Sequence, residues 1–142
     1  MFQECEEALQ EEDDDDVYIL SKVSDVLHSL FAAYKEAFYP CFDHLLPYFV
    51  RLLGNERAWA DHQWSLCIWD DVIEFGGPSS IKYQQYFLEP LMLHISDRQP
   101  EVRQAAVYGI GVMGLCGGEP YAQLCSQALP RLIAVIQDPE SR

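Results

Sequence analysis

Three prolines at one phase of a recurring apolar run constrain this chain more than any other feature. The runs are Leu46-Pro47-Tyr48-Phe49-Val50-Arg51-Leu52-Leu53, Glu89-Pro90-Leu91-Met92-Leu93-His94-Ile95 and Leu129-Pro130-Arg131-Leu132-Ile133-Ala134-Val135-Ile136. The prolines stand 43 and then 40 positions apart. A glycine pair keeps the same interval, Gly76-Gly77 and then Gly117-Gly118, 41 apart. An interior proline costs a helix about 3 kcal/mol, so its return at the same place marks it, with a kink or break, as part of a repeating unit. Units of about 40 residues with helical patterning bury their apolar faces on one another in a row. Such an array offers long faces to partners, and function is expected on a surface rather than in a catalytic pocket.

The apolar spacing places the elements. Ile19, Leu20, Val23, Val26, Leu27, Leu30, Phe31 and Tyr34 follow a 3–4 rhythm and predict an amphipathic helix from Val17 to about Phe38. Asp15 and Asp16 are expected to cap its start. Further helices are expected at about Tyr39–Leu53, Asp61–Phe75, Ile81–Ser96, Pro100 to Gly117-Gly118, and Tyr121–Gln137. Pro100 suits a first turn, and the glycine pairs suit helix ends. No alternating pattern is long enough for a strand. The expected organisation is an acidic, flexible segment at 1–16 and a repeat array at 17–142. Within the array, 17–37 is a leading helix, 38–77 and 78–118 are full units, and 119–142 is a partial one.

Charge narrows the partners. The net charge is −14, which disfavours nucleic acid, whose phosphates require Lys and Arg, and anionic membrane surfaces for the same reason. Nine of the acids lie in residues 1–16, without a single Lys or Arg. A like-charge block of this kind reads as a solvated loop before it reads as a binding site for a basic partner. The longest uncharged apolar stretch, 105–118, is too short to span a bilayer. The five cysteines form no CxxC pair and read as small hydrophobes of a reducing compartment.

Catalytic and metal signatures are weak. Gly109-Ile110-Gly111-Val112-Met113-Gly114 matches the dinucleotide fingerprint GxGxxG. That fingerprint needs a strand before it and a helix after it. Here a helical pattern precedes it, so the glycines read as close helix packing. His28, His44, His62 and His94 are scattered without metal-ligand spacing, and Ser65 and Ser126 have no base nearby. No enzyme activity, metal or cofactor is expected.

Asp97 followed by Pro100-Glu101-Val102-Arg103-Gln104-Ala105-Ala106 and Gly109 resembles the second helix of a HEAT repeat. The expected fold is therefore an all-α HEAT-repeat α-solenoid, a right-handed superhelical array of antiparallel helix pairs. In that family Asp97 and Arg103 would join a ladder of polar contacts between repeats; in the preceding unit His62 stands where Arg103 stands. Four longer stretches (16–25, 63–74, 82–88 and 100–118) resemble the karyopherin-β, or importin-β, family of nuclear import receptors.

The family resemblance implies a segment of a receptor of about twenty repeats, or a truncated relative, at work in the cytoplasm and nucleus. It implies that the helix holding Trp64, Trp69, Asp70, Asp71 and Glu74 lines the concave face and holds basic protein cargo. Carboxylates would pair with Lys and Arg while Trp faces accept aliphatic stems. It also implies phenylalanine-glycine nucleoporins at grooves flanked by Phe38, Phe42 and Tyr86, and Ran-GTP as a partner of the full-length receptor only. The alternative is a HEAT-repeat scaffold or adaptor that organises a complex without transport.

Overall fold

The computed structural model describes the backbone of residues 2–139 and the side chains of residues 18–139. Six α-helices run in order: α1 Phe2–Tyr34, α2 Tyr39–Arg51, α3 Trp59–Gly76, α4 Gln84–His94, α5 Pro100–Cys116 and α6 Ala122–Gln137. Short 3-10 turns at Lys35–Phe38, Gly77–Tyr83 and Glu119–Tyr121 lead into α2, α4 and α6. No strand occurs among the described residues, and the all-α expectation holds.

The helices form two layers. α3 packs along α5 on one flank and along α1 on the other. The second layer is tied through α2, α4 and α6. Tyr83, in the turn before α4, donates its hydroxyl to Asp43 Oδ1 of α2. Arg131 of α6 donates to the Met92 carbonyl of α4 at 3.0 Å. Between the layers runs a line of rings. Phe31 meets Phe42 (centroids 5.3 Å), Phe42 meets Trp69 (5.5 Å), Trp69 meets Phe87 (5.8 Å) and Phe87 meets Tyr121 (6.3 Å). All five rings are fully buried. A line of buried aromatics gives each unit a large apolar payload shared with the next.

Two expectations change. α1 begins at Phe2 and not at Val17, so Asp15 and Asp16 do not stand at a helix start; the side chains of the acidic segment 1–16 lie outside the described residues. Pro47, Pro90 and Pro130 lie inside α2, α4 and α6, each of which continues past its proline. The expected break is absent. Burial of Phe49, Leu91 and Ala128 beside the prolines offsets the lost hydrogen bond.

The glycine pairs have two jobs. A Cβ on Gly76 would fall 1.5 Å from Tyr39 Oη, and one on Gly117 would fall 2.2 Å from the Tyr121 ring. The first glycine of each pair therefore admits a tyrosine. The second, Gly77 at φ 60° and Gly118 at φ 68°, takes the left-handed turn out of the helix.

Candidate functional site

A cleft of about 400 Å³ opens where α1, α3 and α5 lie side by side. On α3, Trp64, Cys67, Asp71 and Glu74 follow the 3–4 spacing of one helical stripe and face it. The neighbouring stripe, Leu66, Trp69 and Ile73, turns into the core with no exposure. Asp25 and His28 enter from α1, and Glu101 and Tyr108 from α5. Five carboxylates line the cleft, and no Lys or Arg is among its lining residues.

Each acid has its own setting. Asp71 Oδ1 lies 3.0 Å from His28 Nδ1. That contact raises the His28 imidazole above its ordinary value, while burial raises Asp71 in spite of the imidazole. Glu74 Oε1 accepts the Tyr108 hydroxyl at 2.9 Å, which holds the phenol up at about 12. Asp70 is 3 % exposed, and its Oδ1 has no hydrogen-bond partner. Burial first, then the charges of Asp71 and Glu74, push its carboxyl well above the usual carboxylate range. Cys67 is pushed up to about 12 by burial and is therefore a thiol rather than a nucleophile. Space for Asp70 comes from α5, where a Cβ on Gly109 would fall 2.4 Å from Asp70 Oδ1.

The residues singled out in the sequence separate under the fold. Trp64, Asp70, Asp71 and Glu74 come together at the cleft. Trp69 does not: it is core, with Tyr86 stacked on it at 6.2 Å. Asp70 and Asp71 are sunk into the wall instead of displayed on a solvated face. Phe42 is also core, whereas Phe38 and Tyr86 stay half-buried on the second layer.

Asp97 and Arg103 brace the turn between α4 and α5. Arg103 Nη1 donates to the Asp97 carbonyl at 2.9 Å. The Asp97 carboxylate accepts the Gln99 N–H at 2.9 Å and lies 2.8 Å from His94 Nδ1. In the preceding unit His62 contacts the Gly54 carbonyl at 2.8 Å, and its ring lies 5.0 Å from that of His94. The imidazole thus braces its own turn, as Arg103 does, and reaches the neighbouring repeat as well.

The GxGxxG run lies inside α5. Gly109 makes the close contact just described, whereas Gly111 faces open space. Ser65 donates its hydroxyl to the Phe49 carbonyl at 2.9 Å, a structural bond between α3 and α2. Among the described residues no group of three or more His, Cys, Asp or Glu is placed to hold a metal ion, and no helix is long and apolar enough to cross a membrane. His28, Glu101 and Tyr108 were not expected at the site. His28 stands 43 positions before Asp71 and Tyr108 stands 34 after Glu74, roughly one unit away, and that interval is the signal that pairs them.

Comparison with known proteins gives one direction. The family described as Importin repeat 6 matches residues 1–55. A protein of Dictyostelium discoideum named as a probable importin-5 homologue is 25 % identical over 135 residues, covering 94 % of this chain. The crystal structure of the karyopherin Kap121p bound to the SUMO protease Ulp1p superposes on 89 % of the chain with a TM-score of 0.80 at 19 % identity. The chain spans 12 % of the length of the Dictyostelium relative and 13 % of the Kap121p chain.

Proposed function

We propose that this chain, similar to karyopherin-β proteins in sequence and fold, forms part of a nuclear transport receptor and holds basic protein cargo in the acidic cleft. The observation that carries this reading is the cleft wall itself: five carboxylates from three helices, with no resident Lys or Arg. Trp64 supplies an apolar face beside them. Lysine and arginine stems lie well on such a ring while their charged ends reach the acids. The role is one of binding, without catalysis. Kap121p was captured with a protein partner, which supports a protein rather than a small molecule as cargo. Half-buried Phe38 and Tyr86 are the residues we assign to phenylalanine-glycine nucleoporins, Phe42 being sealed in the core. Ran-GTP is assigned to the full-length receptor, which would move between cytoplasm and nucleus.

The test is fluorescence anisotropy of a lysine- and arginine-rich peptide across a salt series. Asp71→Asn with Glu74→Gln is expected to weaken binding about tenfold and to flatten the salt dependence. Unchanged affinity in the double variant would rule out this cleft as the cargo site. Binding that ignores salt would favour the scaffold alternative.

A further inference from the structure

We propose that the Asp70 carboxylate, on the floor of the cleft, is the seat of a single lysine ammonium, taken up with the release of one proton. The proposal rests on the cargo reading above and deepens it.

Asp70 is the one acid of the α3 group left without a partner. Asp71 Oδ1 is engaged by His28 and Glu74 Oε1 by Tyr108. Asp70 Oδ1 has no hydrogen-bond partner, in a side chain that is almost fully buried. An ionised carboxylate in that position, without a counter-charge, would carry a large desolvation penalty. The empty cleft therefore holds Asp70 in its neutral form, in line with the upward shift that burial, Asp71 and Glu74 impose on it.

The site is shaped around this group. Gly109 leaves the space that any larger residue of α5 would take from Oδ1. Trp64 stands at the wall for an aliphatic stem. With Oδ1 sealed from solvent beside Gly109, the carboxylate cannot offer both oxygens to a guanidinium fork, whereas a compact ammonium needs only one.

On binding, the ammonium keeps its three protons, the Asp70 carboxyl gives its proton to solvent, and a buried ion pair forms. The groups around Asp70 fix the sign. On its own helix they are Cys67, Asp71 and Glu74; from α1 they are Asp25 and His28; from α5, Glu101 and Tyr108; α4 contributes the apolar Leu91. The Cys67 thiol and the Tyr108 phenol, both raised to about 12, stay neutral. His28 and Asp71, both raised above their ordinary values, are the other groups whose protons binding could displace. Binding that releases a proton strengthens as pH rises.

The experiment is isothermal titration calorimetry on the full chain in phosphate and in Tris, whose ionisation enthalpies differ. The probes are a ten-residue peptide of alternating lysine and glycine and its arginine counterpart. The lysine peptide is expected to bind about fivefold more tightly with close to one proton released. Asp70→Asn is expected to lose that release and about tenfold in affinity, and His28→Gln is expected to keep the proton release. Equal binding of the two peptides without proton release overturns the lysine seat and leaves the cargo reading standing. Release lost in His28→Gln assigns the proton to the imidazole and also overturns it, a result that holds even if Asp70→Asn proves unstable. Failure of both peptides to bind at low salt removes the cargo reading itself, and this proposal with it.

Discussion

The hydroxyl of Tyr39 occupies the space that a side chain on Gly76 would need. A Cβ there would lie 1.5 Å from Tyr39 Oη, which donates to the Val72 carbonyl at 2.9 Å. The start of α2 is thereby locked against the end of α3; at Gly117, one unit later, the space is taken instead by the ring of Tyr121, four residues on.

Gly76→Ala is therefore expected to destabilise the chain by about 2–4 kcal/mol in urea denaturation, because the buried Tyr39 ring has nowhere to move. Gly111→Ala is the control. Its Cβ would meet nothing within 4 Å in the middle of α5, and a helix gains about 0.5–1 kcal/mol from that exchange. Equal effects from the two variants would refute the assignment of Gly76 as a packing glycine.

Ser80 Oγ and Tyr121 Oη form a hydrogen bond between fully buried residues 41 positions apart. Ser80→Ala and Tyr121→Phe should each cost about 1–2 kcal/mol. Their double variant should cost less than the sum, by about 1 kcal/mol, since the second change removes the partner orphaned by the first. Strict additivity in the thermodynamic cycle would show that the pair does not couple the two units.

Acid and base behaviour should follow the cleft. Asp70 and Asp71 keep their protons in the folded chain to a higher pH than the ordinary 3.8 of the unfolded one. His28 likewise holds its proton above 6.5. In each case the folded state binds the proton more tightly, so stability falls as pH rises through these windows. Melting temperatures are expected to be higher at about pH 5 than at pH 8. Asp70→Asn should raise stability at pH 7 by about 1–2 kcal/mol, with the gain vanishing near pH 2, well below the ordinary 3.8, where wild-type Asp70 is neutral in both states. A gain that persists undiminished at pH 2 would point to a cause other than the buried charge.

The array was legible in the sequence because its markers are local. Proline phase, the glycine pairs and the 3–4 rhythm located the five helices from α2 to α6, with ends displaced by a few residues. The displacements have a cause. The residues before α4 and α6 form 3-10 turns, in which the same apolar rhythm is wound more tightly. The site was half legible. Trp64, Asp71 and Glu74 share a stripe that spacing alone can assign, but nothing on α3 itself says which stripe meets α5. Trp69 and Asp70 are adjacent in sequence, and the neighbouring helices send one to the aromatic line and the other to the cleft floor. The depth of Asp70 is set by Gly109, 39 positions later. Reading each residue against the one about 40 positions away would have exposed both that contact and the His28–Asp71 pair.

The Ser80–Tyr121 and Tyr83–Asp43 ties span 41 and 40 residues, so each joins a unit only to the next. Tension applied to the two ends would have no shared centre to rupture. The rod would lengthen like an accordion, one seam at a time, and close again in the same steps, so its flanks would comply with whatever is pressed against them.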